Sequence, residues 1–232
     1  MQKIEYQREI LDLVKDLTEI NNSVIFEKDN NKVVVKRADA EVTLAYILEA
    51  PAKFLNYGDD QIAFYNYSEF YQFFNAFDSP ELKRVKNKLI ISESNSKIEY
   101  LLSNPESITP GPKRIQFDSP DIKFVLNSSD LDEITKMNAL ISAKKAKIIG
   151  DTKSISVIIY NSLHENSFEK KFKIENLTGF KDNFEFVISS DLFSKVPQKK
   201  DYIIEIKKEG FVKMSLNNEK IGLNIFTGYV QS

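Results

Sequence analysis

Apolar residues recur along the chain with two different periods. Over residues 4–20, Tyr6, Ile10, Leu13, Val14 and Leu17 fall on one face at about 100° per residue, and Arg8, Asp12, Lys15 and Glu19 fall on the other. This spacing predicts an amphipathic helix, closed by Asn21-Asn22. Short runs of β type follow at Val24–Phe26, Lys32–Lys36 and Glu41–Leu48, separated by the turn formers Asp29-Asn30-Asn31 and Asp39, and they read as hairpin strands. After a turn over Tyr57 to Asp60, Gln61–Tyr67 predicts a strand leading into a second helix. There Ser68 suits the N-cap, and Phe70, Phe73, Phe74 and Phe77 recur at helical spacing. Strands at Asn87–Ser92 and Lys97–Leu102 then pair about Ser94-Asn95-Ser96.

The second half of the chain says the same thing again. Leu131, Ile134 and Met137 match Leu11, Val14 and Leu17 at an offset of 120. The strand and helix over Phe184–Phe193 match Ile62–Tyr71, with Ser190 on Ser68 at 122, and Lys220-Ile221 matches Lys97-Ile98 at 123. Three elements in one order at nearly one offset point to an internal duplication. Between the halves, Pro105, Pro110, Gly111 and Pro112 forbid helix and central strand, so the stretch reads as an extended linker ending near Lys113-Arg114. The expected organisation is a first domain at 1–104, a connector at 105–117 and a second domain at 118–232. Each domain is of α+β class, two helices packed on antiparallel sheet.

Composition narrows the function. With 42% hydrophobic and 28% charged residues the chain can fill a core, and disorder is not expected. No run approaches the roughly 18 apolar residues of a membrane span, and the N-terminal residues lack the apolar stretch of a signal peptide, so an intracellular protein without membrane contact is expected. The absence of cysteine excludes disulfides, thiolate nucleophiles and cysteine metal sites. Thirty-two basic residues against 34 acidic ones argue against a surface that grips nucleic acid all over, so any DNA contact must be a local patch.

A duplicated unit of two helices backed by antiparallel strands resembles the clamp fold shared by PCNA and the phage sliding clamps. Leu17–Ile25 is similar to the exit of the first helix in the T-even phage clamps. Phe184–Ile188, on through Pro197 to Tyr202, and Gly210–Met214 are similar to their last helix and strands. The resemblance runs over most of the chain. It implies a non-enzymatic processivity factor, a homotrimer closed head to tail through edge strands, with helices lining a hole that holds duplex DNA. It also implies a clamp loader and a replicative DNA polymerase as partners, no cofactor, possible service to transcription, and the cytoplasm of an infected host cell if the source is viral.

A clamp must hold DNA without gripping it, which asks for few contacts, made to phosphates by mobile cations. On that basis the candidate DNA-facing residues are Arg8 and Lys15 on the first helix, Lys83, Arg84 and Lys86 after the second, Lys136, Lys144 and Lys145 on or after the third, and Lys195, Lys199 and Lys200 in or after the fourth. Helix one also carries Glu5, Glu9, Asp12, Asp16 and Glu19, so a solvated face of mixed charge is the competing reading. By the same resemblance, a partner-peptide pocket beside the connector and the C-terminus involves Ile108, Ile115, Phe117, Phe226, Tyr229 and Val230. Of these, Phe117 and Phe226 also read as strand core, whereas Tyr229 and Val230 read as contacts.

Other signals lead elsewhere. His164, the only histidine, has no second ligand for zinc and reads as a surface loop residue. Asp130, Asp132 and Glu133 suit the first turn of a helix better than a metal. The aromatic series Phe64, Tyr65, Tyr67, Phe70, Tyr71, Phe73, Phe74 and Phe77 could stack unpaired bases, which makes a single-stranded DNA-binding protein the alternative function. A carboxylate-dependent hydrolase ranks third, since no phosphate loop, nucleophile elbow or zinc motif is present.

Overall fold

The first apolar run opens as a strand rather than a helix. In the computed structural model, which describes all residues except 1, 58–60, 113, 114, 116, 118, 151–153, 162, 164, 165, 174, 175, 178–182, 209 and 230–232, β1 (Gln2–Tyr6) precedes α1 (Arg8–Asp16). Ile4 is buried between the exposed Lys3 and Glu5, a period-two pattern hidden inside the helical one. Ile4 pairs with Leu82, and Glu5 and Tyr6 pair with Asn56 and Leu55, so these residues gain ladder bonds that a longer helix would forgo. His164 and the Gly58 to Asp60 turn lie outside the described residues.

The first half continues with β2 (Val24–Asp29), β3 (Lys32–Ala38), β4 (Leu44–Pro51), the two-residue β5 (Leu55–Asn56), β6 (Gln61–Phe64), α2 (Tyr67–Asn75), β7 (Glu81–Val85), β8 (Lys88–Glu93) and β9 (Ser96–Leu101). The second half repeats this order. It comprises β10 (Ile122–Leu126), α3 (Ser128–Ile141), β11 (Lys145–Gly150), β12 (Ser154–Asn161), β13 (Asn166–Lys173), β14 (Asn176–Leu177), β15 (Phe184–Ser189), α4 (Asp191–Ser194), β16 (Tyr202–Lys207), β17 (Phe211–Leu216) and β18 (Gly222–Gly228). Pairing repeats as well as order. The antiparallel runs β5-β1-β7-β8-β9 and β4-β3-β2-β6 of the first half return as β14-β10-β16-β17-β18 and β13-β12-β11-β15.

The registers make these equivalences residue by residue. Phe64 and Ile188 each lie three positions before a helix and pair with Val24 and Ala146, an offset of 122 for the inner strands. Glu27 pairs with Val34 and Ile149 with Ser156, so β3 and β12 keep that offset and Arg37 takes the place of Ile159. Ile4 and Phe124 each lie four positions before a helix. The row Ile4, Leu82, Ile91, Ile98 therefore corresponds to Phe124, Ile204, Met214, Ile225. Ile98 thus matches Ile225 at an offset of 127, not Ile221 at 123. The expected match slips because Ser94-Asn95 alone turn β8 into β9, whereas residues 217–221 join β17 to β18.

The chain divides into two compact units, Met1–Arg37 with Ile47–Lys113 and Lys220–Gly222, and Ala38–Tyr46 with Arg114–Glu219 and Leu223–Ser232. In the first, Tyr67, Phe70 and Phe74 of α2 are fully buried with Phe26 and Phe64, and the Phe64 and Phe70 ring centroids lie 4.5 Å apart. Phe73 and Phe77, expected on the same face, are only half-buried. The helix is capped by Asn66, whose side chain accepts the Glu69 N–H at 3.1 Å, two residues ahead of the Ser68 expected there. In the second unit α3 packs on β12, β13 and α4. Asn127 caps it by accepting the Asp130 N–H at 2.9 Å, and Leu131, Ile134 and Asn138 turn inward. Met137 is half-buried, because the inward stripe advances by four residues after Ile134, not three.

Phe70→Ala removes a ring packed among Phe64, Tyr67, Phe74 and Tyr100 and should cost about 3–5 kcal/mol of unfolding free energy in a denaturant titration. Three phenols supply a pH dependence. Burial raises Tyr6, Tyr71 and Tyr100 above the ordinary 10.0, and Tyr71 is raised further by the 2.6 Å bond it donates to Asp12. The unfolded chain therefore ionises first, so the stabilisation is complete below pH 10 and is lost as pH climbs through the raised values. Urea midpoints measured from about pH 8 to 11 should fall more steeply for the parent chain than for Tyr71→Phe.

Candidate functional site

The helices carry Glu9, Asp12, Asp16, Glu69, Asp130, Asp132, Glu133 and Asp191 against Arg8, Lys15 and Lys136. Their cations are also committed locally. Arg8 stands at the start of α1, where Nη1 donates to Asn75 Oδ1 at 2.6 Å and Nη2 to the Asp78 carbonyl at 3.2 Å, with the guanidinium 4.7 Å above the Phe74 ring. It ties α1 to the C-terminal end of α2, where a cation also meets the negative end of the helix dipole. Lys15 is half-buried, with Nζ 3.4 Å from Thr18 Oγ1. Lys136 pairs with Asp132 at 2.6 Å and Lys195 with Asp191 at 2.7 Å, both one helical turn apart. Glu133 and Asp130 both hold Lys170, at 2.5 and 2.9 Å, which raises the pKa of its ammonium.

The other candidate cations sit on strands and turns. Lys83 lies on β7 and pairs with Glu81 at 2.7 Å. Arg84 lies on the same strand and donates to the carbonyls of Lys86 and Gln61, each at 3.1 Å. Lys86 is exposed in the β7–β8 turn at φ 54, Lys144 is exposed between α3 and β11, and Lys145 opens β11. Lys199, at φ 59, and Lys200 are exposed in the loop between α4 and β16. Among these candidates the exposed Lys86, Lys144, Lys199 and Lys200 lie outside helices and strands, while the helices carry more carboxylates than cations.

The connector is held by a buried arginine. Asn104 caps a turn of 3₁₀ helix over Pro105–Ser107, and Ile108 is buried behind it. Arg37, 2% exposed, donates from Nη2 to Ser23 Oγ at 2.8 Å and from Nη1 to the Thr109 carbonyl. At Gly111 the connector lies so close to β3 that a Cβ would stand 1.9 Å from the Lys36 carbonyl oxygen, which only glycine permits. Between connector and sheet a cavity of about 270 Å³ is lined by Ile25, Glu27, Lys36, Arg37, Pro110 and Pro112. Arg37 falls on the inward face of β3 with Val33 and Val35, but a charged side chain at such a position ordinarily reads as exposed, and it was not among the expected site residues.

Of the expected peptide-pocket residues, Ile108 belongs to the first unit, whereas Ile115, Phe117, Phe226 and Tyr229 belong to the second. Val230 lies outside the described residues. The half-buried Phe117 is capped by Lys213, whose Nζ is 4.8 Å from the ring centroid, and lies 6.3 Å from the buried Phe226. Lys213 in turn pairs with Glu205 across β16 and β17. Tyr229 stacks on Phe186 at 4.8 Å and donates its hydroxyl to the Lys207 carbonyl.

Two long strand edges remain open among the described residues. β5 and β14 are two residues long, β6 receives the Ser103 N–H at the Ala63 carbonyl, and β15 bridges Tyr229. β9 and β13, six and eight residues long, have a neighbour on one side only. Beside β9 lie the exposed Leu101 and the half-buried Phe73. Beyond β13, Asn161 bonds the Ile141 carbonyl and the Leu163 N–H, each at 3.0 Å, which brings the exposed Leu140 and Leu163 to one corner. Among the described residues no three acidic or histidine side chains cluster as a metal site, and no helix is long and apolar enough to cross a membrane.

No protein-family model matches the sequence, and no curated protein does. Solved structures do match, over the whole length. The A. fulgidus PCNA solved with the C-terminal region of FEN-1 superposes with a TM-score of 0.78 at 10% identity, covering 100% of this chain and 99% of that one. The PCNA of Entamoeba histolytica gives 0.77 at 14% identity, covering 99% and 98%. That of Thermococcus kodakaraensis gives 0.77 at 11%, covering 98% and 99%. The chain has the PCNA-like clamp fold, mixed α and β with antiparallel sheets and few helices.

Replacing Arg37 by Met keeps the apolar stem and deletes both donors to Ser23 and Thr109. Hydrogen exchange at the Ser107 and Ile108 amides, which close the connector turn on Asn104 and Pro105, should accelerate by about tenfold or more, since charged hydrogen bonds are worth roughly 1.5–3 kcal/mol each.

Proposed function

We propose that this chain is a DNA polymerase sliding clamp of the T-even phage type, a subunit of a homotrimeric ring that encircles duplex DNA and acts without chemistry of its own. A clamp loader opens the ring on DNA, and the replicative polymerase is then tethered to it. The observation that carries this reading is the doubled topology with two long open edges, β9 in the first half and β13 in the second. An open edge with flanking apolar side chains is an aggregation hazard unless something pairs with it, and a head-to-tail ring gives every such edge a partner.

The charge pattern supports loose encirclement. Each phosphate neutralised adds affinity by releasing counterions, so a ring that slides needs few such contacts. Carboxylates on the helices keep phosphates at a distance, and Lys86, Lys144, Lys199 and Lys200 on flexible stems offer sequence-blind contacts. A partner peptide of the kind seated on the A. fulgidus clamp would draw on Ile108, Ile115, Phe117, Phe226, Tyr229 and Val230. The single-strand-binding alternative needs aromatic rings at the surface. Phe64, Tyr67, Phe70 and Phe74 are buried and Tyr71, Phe73 and Phe77 half-buried, so only Tyr65, 71% exposed, presents most of its ring, a poor platform for stacking.

Light scattering should give three subunits per particle, and the particle should be retained on closed circular DNA but run off linear DNA once loaded. A monomer at every concentration, or equal retention on both DNAs, would sink the proposal. The triple variant Lys144→Glu, Lys199→Glu, Lys200→Glu should shorten polymerase products several-fold and flatten the salt dependence of DNA binding, with an unchanged melting temperature.

A further inference from the structure

The two halves differ at two places where a cation meets the connector. Arg37 takes the position of Ile159, as the β3 and β12 registers show. The registers of the outer strands match Leu82 and Ile91 with Ile204 and Met214, so the facing pair Glu205 and Lys213 takes the position of Lys83 and Ile90. Each cation thus stands where the other half carries isoleucine. In the first half Lys83 turns to Glu81 on its own strand, at 2.7 Å. In the second half Lys213 pairs with Glu205, their side chains 19% and 13% exposed, and the Phe117 ring lies over the ammonium at 4.8 Å. The connector has little else to hold it. Pro110 and Pro112 have no N–H, and among the described residues the bond from Arg37 is the only hydrogen bond made by residues 109–112, 115 and 117. Residues 110–112 roof a cavity of about 270 Å³ instead of packing down on Ile25 and Lys36.

We infer that Arg37 and Lys213 are positioning residues for partner binding, two fixed points that hold the connector in the conformation a partner peptide meets. The inference rests on the clamp reading above and adds the residues that set the partner's affinity without touching it. Arg37 is 2% exposed and reaches the connector from inside the first unit, through the Thr109 carbonyl. Lys213 holds it within the second unit, through the Phe117 ring. Glu205 completes the second point, since Lys213 without it would be a half-buried cation with no counter-charge. A guanidinium bond to a carbonyl and a cation–π contact shielded from water are each strong enough to shift a two-state segment by about tenfold. Loss of either lets the connector populate lifted conformations. Affinity then falls by the fraction of chains left in the competent one, while the bound state keeps its structure.

The chain has no cysteine, so single introduced thiols report without background. Ile25→Cys lines the cavity under Pro110 and Pro112, and Phe226→Cys lies behind Phe117. In the full chain, Arg37→Met should speed alkylation of the first thiol about tenfold, and Lys213→Met that of the second, with particle size by light scattering unchanged. In extension assays with the loaded clamp and the replicative polymerase of the same source, both substitutions, made in the cysteine-free chain, should raise the polymerase concentration for half-maximal product length about tenfold. Product length at saturating polymerase should not change, and Arg37→Lys should recover part of the loss; a merely structural role would lower stability without this split. Gly111→Ala, whose Cβ would stand 1.9 Å from the Lys36 carbonyl oxygen, lifts the same segment from outside the core and should act as Arg37→Met does, so the test holds even if Arg37→Met does not fold. Faster alkylation with an unchanged half-maximal concentration, or no faster alkylation in any variant, overturns the inference and leaves the clamp reading standing. A parent chain that never lengthens the products overturns both.

Discussion

Backbone hydrogen bonding at the sheet edge is the constraint on which the rest depends. Each residue of an antiparallel strand carries a donor and an acceptor that need partners, and a sheet of finite width must end somewhere. This chain disposes of most of its ends locally, by making β5 and β14 two residues long and by closing β6 and β15 with Ser103 and Tyr229. What it leaves open is long and flanked by leucines, and it bears charges of both signs rather than the lysines alone that merely repel. An edge that is neither shortened nor blocked, yet is patterned, is an edge kept for a particular partner.

Much of the architecture was legible from residue order because helices and strands impose different periods. The two long helices, the aromatic second helix and the duplication all followed from periodicity. β1 did not, because Tyr6 fits a helix ending in Leu17 as well as a strand holding Ile4, and only pairing with Leu82, far along the chain, decides between them. The repeat offset could not be one number either. It runs from 120 at β1 and β10 through 122 at β2 and β11 to 124 at β6 and β15, falls to 122 at β7 and β16 and reaches 127 at β9 and β18, because the connections differ in length. The expected matches of Ser68 with Ser190 and of Ile98 with Ile221 therefore miss by two and by four residues. The candidate site was less legible. Pairs one turn apart, Asp132 with Lys136 and Asp191 with Lys195, can be read directly. The bond of Arg8 to Asn75 and that of Arg37 to Thr109 join residues roughly seventy positions apart, and no local pattern announces them.

The carboxylates of the helices often find a cation within one turn or on an adjoining strand, as Asp132 finds Lys136, Asp191 finds Lys195 and Asp130 finds Lys170. The exposed candidate lysines Lys86, Lys144, Lys199 and Lys200 sit outside the helices and strands, Lys86 and Lys199 at left-handed φ. Salt screens fields beyond about 10 Å at ordinary ionic strength, so a polyanion near this surface would respond to individual turns, not to the net charge of −2.

Arg37 breaks the likeness of the two halves in their interior. Its counterpart, Ile159, is fully buried and has no donor to satisfy, whereas Arg37 depends on Ser23 and on a carbonyl that belongs to the connector. A symmetrised chain made by writing the first half twice would therefore strand its second guanidinium in the core unless a second tether were appended after it. A twin of the second half would keep a sound interior but let its tether go. The doubling thus specialised by one buried cation, which makes the halves complementary parts rather than spare copies.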